Sequence, residues 1–407
     1  MRTLLSLILL AGGALPATAQ NETPLWITVG ADALPVVKQA LGAAPLAVET
    51  RGSVALLRVA PAALPRLSAA LHDSFRRCPG FLAHDSREAA LLALDGKARM
   101  RAAQAAFVDY TIDNGGAVKR LLEELRETEI RNTILTLSAF TTRHQASPTG
   151  VTAAQWLRDA WLAMAAGRSD VTVELYPHPT LGGQPSVIAT IQGTALPSEI
   201  VILGGHLDSI VSGGASTSRA PGADDDASGV ATITEVLRAA MVTGYRPART
   251  VKFMGYAAEE IGLRGSQEIA AAYQAAGANV VGVLQLDMTN FKGSAADMAL
   301  LTDFTNAPQN QFLEQLIDRY VGASRTTTRC GYGCSDHASW NNRGYPASMP
   351  FEAVFGQHNR QLHTVRDTLT RSLGNANHAL KFARLGAAYL AELAKGGPAP
   401  LADGGSK

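Results

Sequence analysis

A series of almost continuous apolar segments, alternating with helical segments, constrains the fold of this chain most strongly. The clearest apolar segments span residues 200–203, 250–256 and 280–286. Strands that are apolar on both faces are typical of parallel sheets covered by helices on both sides. The sequence therefore predicts an α/β fold with a mostly parallel central sheet flanked by helices.

Each of these three segments leads into residues that can bind a metal ion. His206 follows the first segment, Glu259 and Glu260 follow the second, and Asp287 ends the third. The carboxyl ends of parallel strands meet at one edge of a sheet, and ligands bind there. We therefore expect these side chains to lie close together.

The acidic run at residues 224–226 and a late histidine extend this candidate site. The combined set offers nitrogen and oxygen ligands without a thiolate, which suits zinc or a similar ion. Two adjacent ions would need about three ligands each, one shared carboxylate and a base for water, the role left for Glu259. Singly, each residue could be a core histidine, a solvated turn or a helix cap, but their joint occurrence favours a metal site. The candidate ligands are His206, Asp225, Glu260, Asp287 and His363.

The N-terminus carries the features of an export signal. Arg2 precedes a short apolar run at residues 4–10, and Ala17 and Ala19 form a small-x-small cleavage motif. We expect residues 1–19 to be a signal peptide and the mature protein to be secreted, either extracellular or periplasmic. The alternative is a hydrophobic N-terminal helix of the fold. The formal net charge of +1 argues against a nucleic-acid partner, and no later apolar run is long enough to span a membrane.

The rest of the chain divides into a small and a large predicted domain. Residues 20–105 are predicted to form a small α+β domain, residues 106–396 the catalytic domain, and residues 397–407 a flexible tail. Residues 87–106 are rich in Ala, Arg and Lys, which predicts an exposed, protease-accessible linker. A small domain between a signal peptide and such a linker suggests a propeptide, and the alternative is a permanent accessory domain.

Three local predictions can be checked directly. Isolated His72 and His84 are expected at the surface of the small domain. Thr152 is expected to cap a helix over residues 152–165. Cys330 and Cys334 bracket Gly-Tyr-Gly, and in an exported protein a short-loop disulfide is favoured over a metal-binding pair.

Eight ordered motifs of the chain resemble those of the secreted bacterial leucyl aminopeptidases. They are GGHLDS, PGADDDASG, YAAEEIGLRGSQ, LQLDMTN, LTDFTN, CGYGCSDHASW, GYPASMPFE and HTVRDTL. The resemblance covers about residues 118–393, and residues 25–86 are similar to the propeptide of that family. It implies a di-zinc exopeptidase fold and a metallo-aminopeptidase that hydrolyses the N-terminal peptide bond of peptides and proteins, preferring hydrophobic residues such as Leu. It also implies that the propeptide is an intramolecular inhibitor and folding aid.

The resemblance implies a metal-binding role for each candidate ligand. Asp225 would bridge two zinc ions. His206 and Asp287 would complete the ligand set of one ion, and Glu260 and His363 would complete that of the other.

The same resemblance implies roles for residues around the ions. Glu259 would be the general base for a zinc-bridged hydroxide, Asp208 would orient His206, and the Tyr332 hydroxyl would stabilise the oxyanion. His358 stands where the family has an aromatic pocket residue. The side-chain pocket itself would be lined by Met288, Met349, Phe351 and Phe355.

Two alternative functions stay open from the sequence. A related zinc carboxypeptidase or dipeptidase would need a basic clamp for a terminal carboxylate, and Arg343 and Arg360 are the candidates in the loops. A catalytically silent binding domain of the same fold would not need Glu259.

Overall fold

A computed structural model describes most of the chain. It covers residues 23–42, 48–77, 79–95 and 108–398. The predicted signal peptide, Cys78, residues 96–107 of the predicted linker and all of the predicted tail beyond residue 398 lie outside the described residues. Among the described helices, none is both long and apolar enough to cross a membrane.

Residues 23–95, here called the N-terminal unit, form a small α+β structure. An antiparallel sheet runs in the order β2-β3-β1-β4, and its apolar face carries the core residues Ile27, Val29 and Leu57. The unit therefore has a hydrophobic core of its own. The strands are β1 (Leu25–Gly30), β2 (Val48–Arg51), β3 (Val54–Val59) and β4 (Phe81–His84), and the helices are α1 (Leu34–Leu41), α2 (Leu64–Phe75) and α3 (Arg87–Asp95).

Helix α3 corrects the prediction of an exposed linker over residues 87–106. Its first part is an ordered helix, and Ala90 and Ala93 are buried against the sheet of the N-terminal unit. Alanine and leucine favour helix formation, and small buried alanines let the helix approach the sheet closely. The composition that suggested an accessible linker therefore also fits a helix packed on one face.

Residues 108–398, here called the C-terminal unit, contain the central sheet and its covering helices. Its strands are β5 (Val171–Tyr176), β6 (Ser186–Ile191), β7 (Leu196–His206), β8 (Tyr245–Arg246), β9 (Arg249–Tyr256), β10 (Asn279–Gln285), β11 (Met298–Leu301), β12 (Arg325–Thr328), β13 (Ala347–Ser348), β14 (Pro350–Phe351) and β15 (Gly397–Pro398). Its helices are α4 (Gly115–Glu124), α5 (Glu127–Ala139), α6 (Pro148–Met164), α7 (Ala227–Val242), α8 (Arg264–Ala275), α9 (Ala307–Leu316), α10 (His337–Asn342) and α11 (Asn377–Ala394).

The central sheet is mixed and runs in the order β13-β10-β7-β9-β6-β5. The β13–β10, β10–β7 and β7–β9 pairs are parallel, whereas β6 and β5 add antiparallel pairs on the other side. In β7, Val201 and Leu203 face one core cluster, and Ile202 faces another that contains Trp340. The predicted α/β fold with flanking helices is confirmed. The sheet is parallel where both faces are buried and antiparallel towards the half-exposed edge strand β5.

The start of helix α6 corrects the predicted cap at Thr152. The helix begins at Pro148, and the Oγ of Ser147 accepts a hydrogen bond from the Gly150 N–H at 2.9 Å. Proline suits the first turn because its missing N–H would have no partner there. Thr152 lies inside the helix, and its hydroxyl donates to the Pro148 carbonyl. Sequence analysis also missed helix α5, whose buried face consists of Ile130, Ile134 and Leu137.

Replacing Ser147 by Ala should lower the free energy of unfolding by about 1 kcal/mol, because the Gly150 N–H loses its acceptor. The matched control is Thr152→Ala, which should change the free energy of unfolding by less than about 0.5 kcal/mol, since alanine favours the helix interior. Urea denaturation of both variants measures the difference. Equal losses for the two variants would contradict the assigned cap.

Candidate metal centre

Three parallel strands bring the predicted side chains to one edge of the central sheet. Strand β7 ends at His206, β9 leads to Glu259 and Glu260, and β10 leads to Asp287. Strands β10, β7 and β9 are direct neighbours, so their carboxyl ends lie side by side. All four side chains are buried. The convergence expected from the strand pattern is therefore observed.

The candidate ligands form two groups that share Asp225. One group is His206, Asp225 and Asp287, the other is Asp225, Glu260 and His363, and within each the ligand atoms lie within 4.8 Å of one another. His206 Nε2 is 2.9 Å from Oδ1 of Asp225, and His363 Nε2 is 3.2 Å from its Oδ2. The two oxygens of Asp225 thus face different imidazoles, as expected for a carboxylate that two ions share.

The contact between His206 and Asp225 tests whether these residues fit a metal ion. His206 Nε2 and both carboxylate oxygens of Asp225 are buried and have no hydrogen-bond partner within the described residues, despite their short separation. Nitrogen and oxygen atoms that approach without hydrogen-bond alignment are expected when both point towards a common cation. Imidazole and carboxylate ligands without sulfur suit zinc. The residues present therefore fit a zinc centre.

The electrostatics of the site favour a cation. Burial by itself would lower the pKa of His363, but the carboxylates of Glu260 and Asp225 outweigh it and raise the pKa to about 10. Burial likewise opposes the carboxylates of Asp287 and Glu259, which nevertheless hold the pKa of His206 well above its usual value. The surrounding carboxylates therefore favour positive charge at both imidazoles, and a bound divalent ion would supply that charge in place of protons.

Asp226 fixes the loop that carries Asp225. Its Oδ1 accepts from the backbone N–H of Gly229 at 2.7 Å and of Met288 at 3.1 Å, and its Oδ2 accepts from the N–H of His206 at 3.0 Å. It caps helix α7 and also connects the ends of β7 and β10. The peptide bond between Asp225 and Asp226 is cis. The hydrogen bonds and distances place the Asp226 carboxylate against backbone donors and the Asp225 carboxylate against the imidazoles.

Asp208 fixes the pair of glutamates. Its Oδ1 accepts from the N–H of Glu259 at 3.0 Å, and its Oδ2 accepts from the N–H of Glu260 at 3.1 Å. Nδ1 of His206 lies 3.2 Å from the backbone oxygen of Asp208 and 3.6 Å from its carboxylate. Asp208 is therefore placed beside His206 as expected, with its carbonyl as the nearer acceptor, and its carboxylate also positions both glutamates.

Arg143 is a positioning residue that sequence analysis missed. It is completely buried and donates to four backbone carbonyls, those of Leu207 at 2.8 Å, Leu137 at 3.1 Å, Pro221 at 2.7 Å and Gly222 at 2.9 Å. These bonds connect β7 and helix α5 to the loop before the acidic run. No sequence pattern distinguishes Arg143 from a surface arginine.

Asp367 is a second positioning residue without an assigned role in the sequence analysis. Its carboxylate accepts from the backbone N–H groups of Asp224 and Asp225, and from the side-chain amide of Asn359 at 3.0 Å. It therefore holds the acidic run through the backbone of Asp224 and Asp225. The motif HTVRDTL, which supplies His363, also contains this residue. Its place in that motif is the sequence feature that could have identified it.

An apolar pocket adjoins the metal-facing edge at Asp287. The four predicted pocket residues all line it, and Tyr332 lies in its wall with a completely buried ring. A disulfide joins Cys330 and Cys334, with their Cα atoms 6.1 Å apart, which confirms the predicted pairing and closes the loop around Tyr332. The lining of the pocket is Asp287, Met288, Tyr332, Cys334, Met349, Phe351, Phe355, His358 and Leu362, with Arg76 contributed by the N-terminal unit.

Helix α2 of the N-terminal unit lies over this site. The centroid of the His72 ring is 4.8 Å from that of His363, and His72 Nε2 contacts Nη1 of Arg76 at 3.0 Å. The guanidinium of Arg77 lies 5.2 Å from the centre of the Tyr332 ring. The N-terminal unit therefore covers both the metal-facing residues and the pocket.

This packing corrects the prediction that His72 and His84 lie at the surface. Their exposed fractions are 0% and 4%. His72 is buried against His363, and the strand that ends at His84 is held to the C-terminal unit by a backbone bond from Ala83 to Gly262. The sequence of one unit does not reveal which of its faces meets the other.

Comparisons with known proteins agree on one family. Residues 186–387 match the model of peptidase family M28. Leucine aminopeptidase 1 of Coccidioides posadasii is 37% identical over 288 residues, which cover 67% of this chain and 73% of the relative. The LapA aminopeptidase of Legionella pneumophila matches with a TM-score of 0.76 at 28% identity, over 92% of this chain and 99% of that chain. LapB of the same organism matches with a TM-score of 0.76 at 26% identity, over 91% and 100% of the two chains.

Replacing Arg143 by Met should lower the free energy of unfolding by about 3–5 kcal/mol. The change leaves four buried carbonyl oxygens without their donor and removes a positive charge that faces Asp226 and Asp367. Chemical denaturation measures the loss. Arg158→Met is the matched control, because Arg158 is a partly exposed arginine paired with its neighbour Asp159 and should contribute less than about 0.5 kcal/mol. A loss below about 1 kcal/mol for Arg143→Met would contradict its structural role.

Proposed function

The chain belongs to peptidase family M28 and is an aminopeptidase, and from this premise we propose that it is a secreted di-zinc enzyme that removes hydrophobic N-terminal residues, Leu in particular. The main support is the arrangement of His206, Asp225 and His363, in which one carboxylate faces two imidazoles beside an apolar pocket. A pocket next to a metal-facing edge suits a substrate whose first side chain is apolar.

The proposal gives each metal-facing residue a role in holding zinc. Asp225 would be shared by the two ions. His206 and Asp287 would hold one ion, and Glu260 and His363 would hold the other. Bound zinc supplies Lewis acidity, which polarises the scissile carbonyl and makes water more acidic.

Glu259 is the proposed general base. It accepts the proton of the attacking water and returns it to the amine of the leaving peptide. Burial raises the pKa of its carboxyl group well above the usual value, which increases its basicity. Asp208 holds the Glu259 backbone, and the Glu259 carboxylate lies within 4.8 Å of the ligand atoms of His206 and Glu260. The Tyr332 hydroxyl is proposed to donate to the oxyanion that develops on the scissile carbonyl.

The pocket supports a preference for apolar residues. Met288, Met349, Phe351 and Phe355 form one apolar cluster in its wall. Burying a charged side chain there without a partner is unfavourable, so Leu is expected to be a better substrate residue than Glu or Lys.

The pocket does not favour the carboxypeptidase alternative. Among its lining residues from the described C-terminal unit, none is Arg or Lys. Arg343 lies instead in a cleft beside His84 and Arg264, and Arg360 is exposed. The clamp for a terminal carboxylate that this alternative needs is therefore not built from either candidate.

Hydrolysis of the p-nitroanilides of Leu, Glu and Lys tests the proposal. We expect the Leu substrate to react fastest, a chelator to abolish the reaction and zinc to restore it. Glu259→Ala should lower turnover by about 10²–10⁴-fold, because proton transfer is lost, while metal analysis finds the same zinc content as in the unmodified chain. Activity that survives chelation would contradict a metal mechanism, and loss of zinc from Glu259→Ala would identify Glu259 as a ligand.

Export and self-inhibition complete the proposal. The N-terminal signal features support export, and so does the disulfide at Cys330, because such bonds persist in oxidising compartments. The position of His72 and Arg76 over the site supports a propeptide that inhibits the enzyme and assists its folding. A substrate residue cannot enter the pocket while helix α2 covers it.

Limited proteolysis tests self-inhibition. Trypsin sites at Lys97, Arg99 and Arg101 lie between the two units, and cutting there should raise Leu p-nitroanilide hydrolysis by about tenfold or more, since a modest bias towards the covered state leaves few open sites. The control replaces these three residues by Gln and should stay at the low rate under the same treatment. Full activity of the uncut chain, verified by its intact mass, would contradict inhibition.

A further inference from the structure

His358 introduces a polar group into the apolar pocket. Its ring is 4% exposed and lies against Phe351 and Phe355, with ring centroids 5.4 Å and 5.2 Å away. It is part of the wall together with Leu362 and Met349. A histidine at this position has the packing of an aromatic residue and adds two ring nitrogens, whose hydrogen bonds decide what the pocket can recognise.

The hydrogen bonds of His358 fix which nitrogen carries the proton. Nδ1 accepts from the backbone N–H of Gly356 at 3.1 Å, so a neutral ring has its proton on Nε2. Burial lowers the pKa of His358, which keeps the ring neutral. Nε2–H is therefore a donor, and the ring that carries it lines the pocket together with Arg76.

Arg76 is the residue of the N-terminal unit that shares the pocket with this donor. It ends helix α2, yet it also lines the pocket. When this unit leaves the site, as the proposed function requires, Arg76 leaves the pocket with it. The Nε2–H of His358 then remains in the apolar wall, next to the space that a substrate side chain would fill. A buried donor without a partner is unfavourable, and a site built to hydrogen-bond a substrate discriminates against isosteres that lack the matching group.

We propose that His358 is a specificity-determining residue, whose Nε2–H binds the side-chain carbonyl oxygen of an N-terminal Gln or Asn in the part of the pocket that Arg76 vacates. This inference rests on the proposed aminopeptidase function and extends its substrate class. The Leu side chain packs against Phe351, Phe355 and their neighbours. A Gln or Asn side chain would also pack its apolar stem there, and its uncharged amide would gain one hydrogen bond. Glu remains unfavourable because its carboxylate would be buried without a counter-charge.

The test compares side chains of similar shape. The chain is produced at full length, cut by limited proteolysis and assayed for kcat/KM with the p-nitroanilides of Gln, Met, Asn and Leu. In His358→Phe, the ratio of kcat/KM for Gln to that for Met, and the ratio for Asn to that for Leu, should each fall about three- to tenfold. This is the factor expected for the loss of one neutral hydrogen bond. His358→Gln, which keeps an N–H donor, should restore part of both ratios.

Phe355→Leu is the matched control. It alters the ring packing beside His358 but removes no hydrogen-bond donor, so it should lower kcat/KM for all four substrates by similar factors and change the two ratios by less than about twofold. Unchanged ratios in His358→Phe would overturn the proposal. The same conclusion would follow if that variant released the N-terminal unit more readily but kept the ratios, because His358 would then serve only the contact with Arg76.

Failure of the proposed function would give a different result. In that case the cut, zinc-loaded chain would hydrolyse none of the four substrates. Calorimetric binding of free L-Gln and L-Met to this protein then decides the role of His358 independently of catalysis. A preference for L-Gln that falls in His358→Phe supports the inference, and equal binding of the two amino acids by both proteins overturns it.

Discussion

The burial of many carboxylates at one edge of the central sheet is the constraint on which the rest of the structure depends. A buried charge is unfavourable unless it is paired or hydrogen-bonded. Asp226 and Asp208 are satisfied by backbone N–H groups, and Arg143 adds a buried positive charge. Among the described residues, the Asp225 carboxylate faces the imidazoles of His206 and His363, and a divalent cation is the partner that its position suits. The acids concerned are Asp208, Asp225, Asp226, Glu259, Glu260, Asp287 and Asp367.

The same edge connects catalysis, specificity and cover by the N-terminal unit. Helix α2 places His72 against His363 and ends at Arg76, which lines the pocket together with His358. One short segment therefore contacts both halves of the site, and uncovering the metal-facing residues also frees the pocket.

Much of the fold and most of the metal-facing residues could be predicted because their signals are local. Apolar runs that end in His206 or Asp287 combine a strand pattern with ligand chemistry inside a few residues. Arg143 could not be predicted, because its four carbonyl partners are contributed by distant segments. The cap at Ser147 was missed because Thr152 carries the same hydroxyl group. Which of the two caps the helix depends on where the first helical turn begins. The buried positions of His72 and His84 follow from how two units pack.

The sequence by itself determined the α/β pattern, the types of ligand and the order of the motifs, since these depend on residue identity and spacing. Only the tertiary structure shows why Asp225, which the family resemblance singled out among three successive aspartates, is the one that faces the imidazoles. Asp224 accepts from the Asn290 N–H, Asp226 accepts from three backbone groups, and Asp225 is left facing His206 and His363. Identical side chains differ only in direction, and that direction is set by partners from strands and loops far apart in the chain.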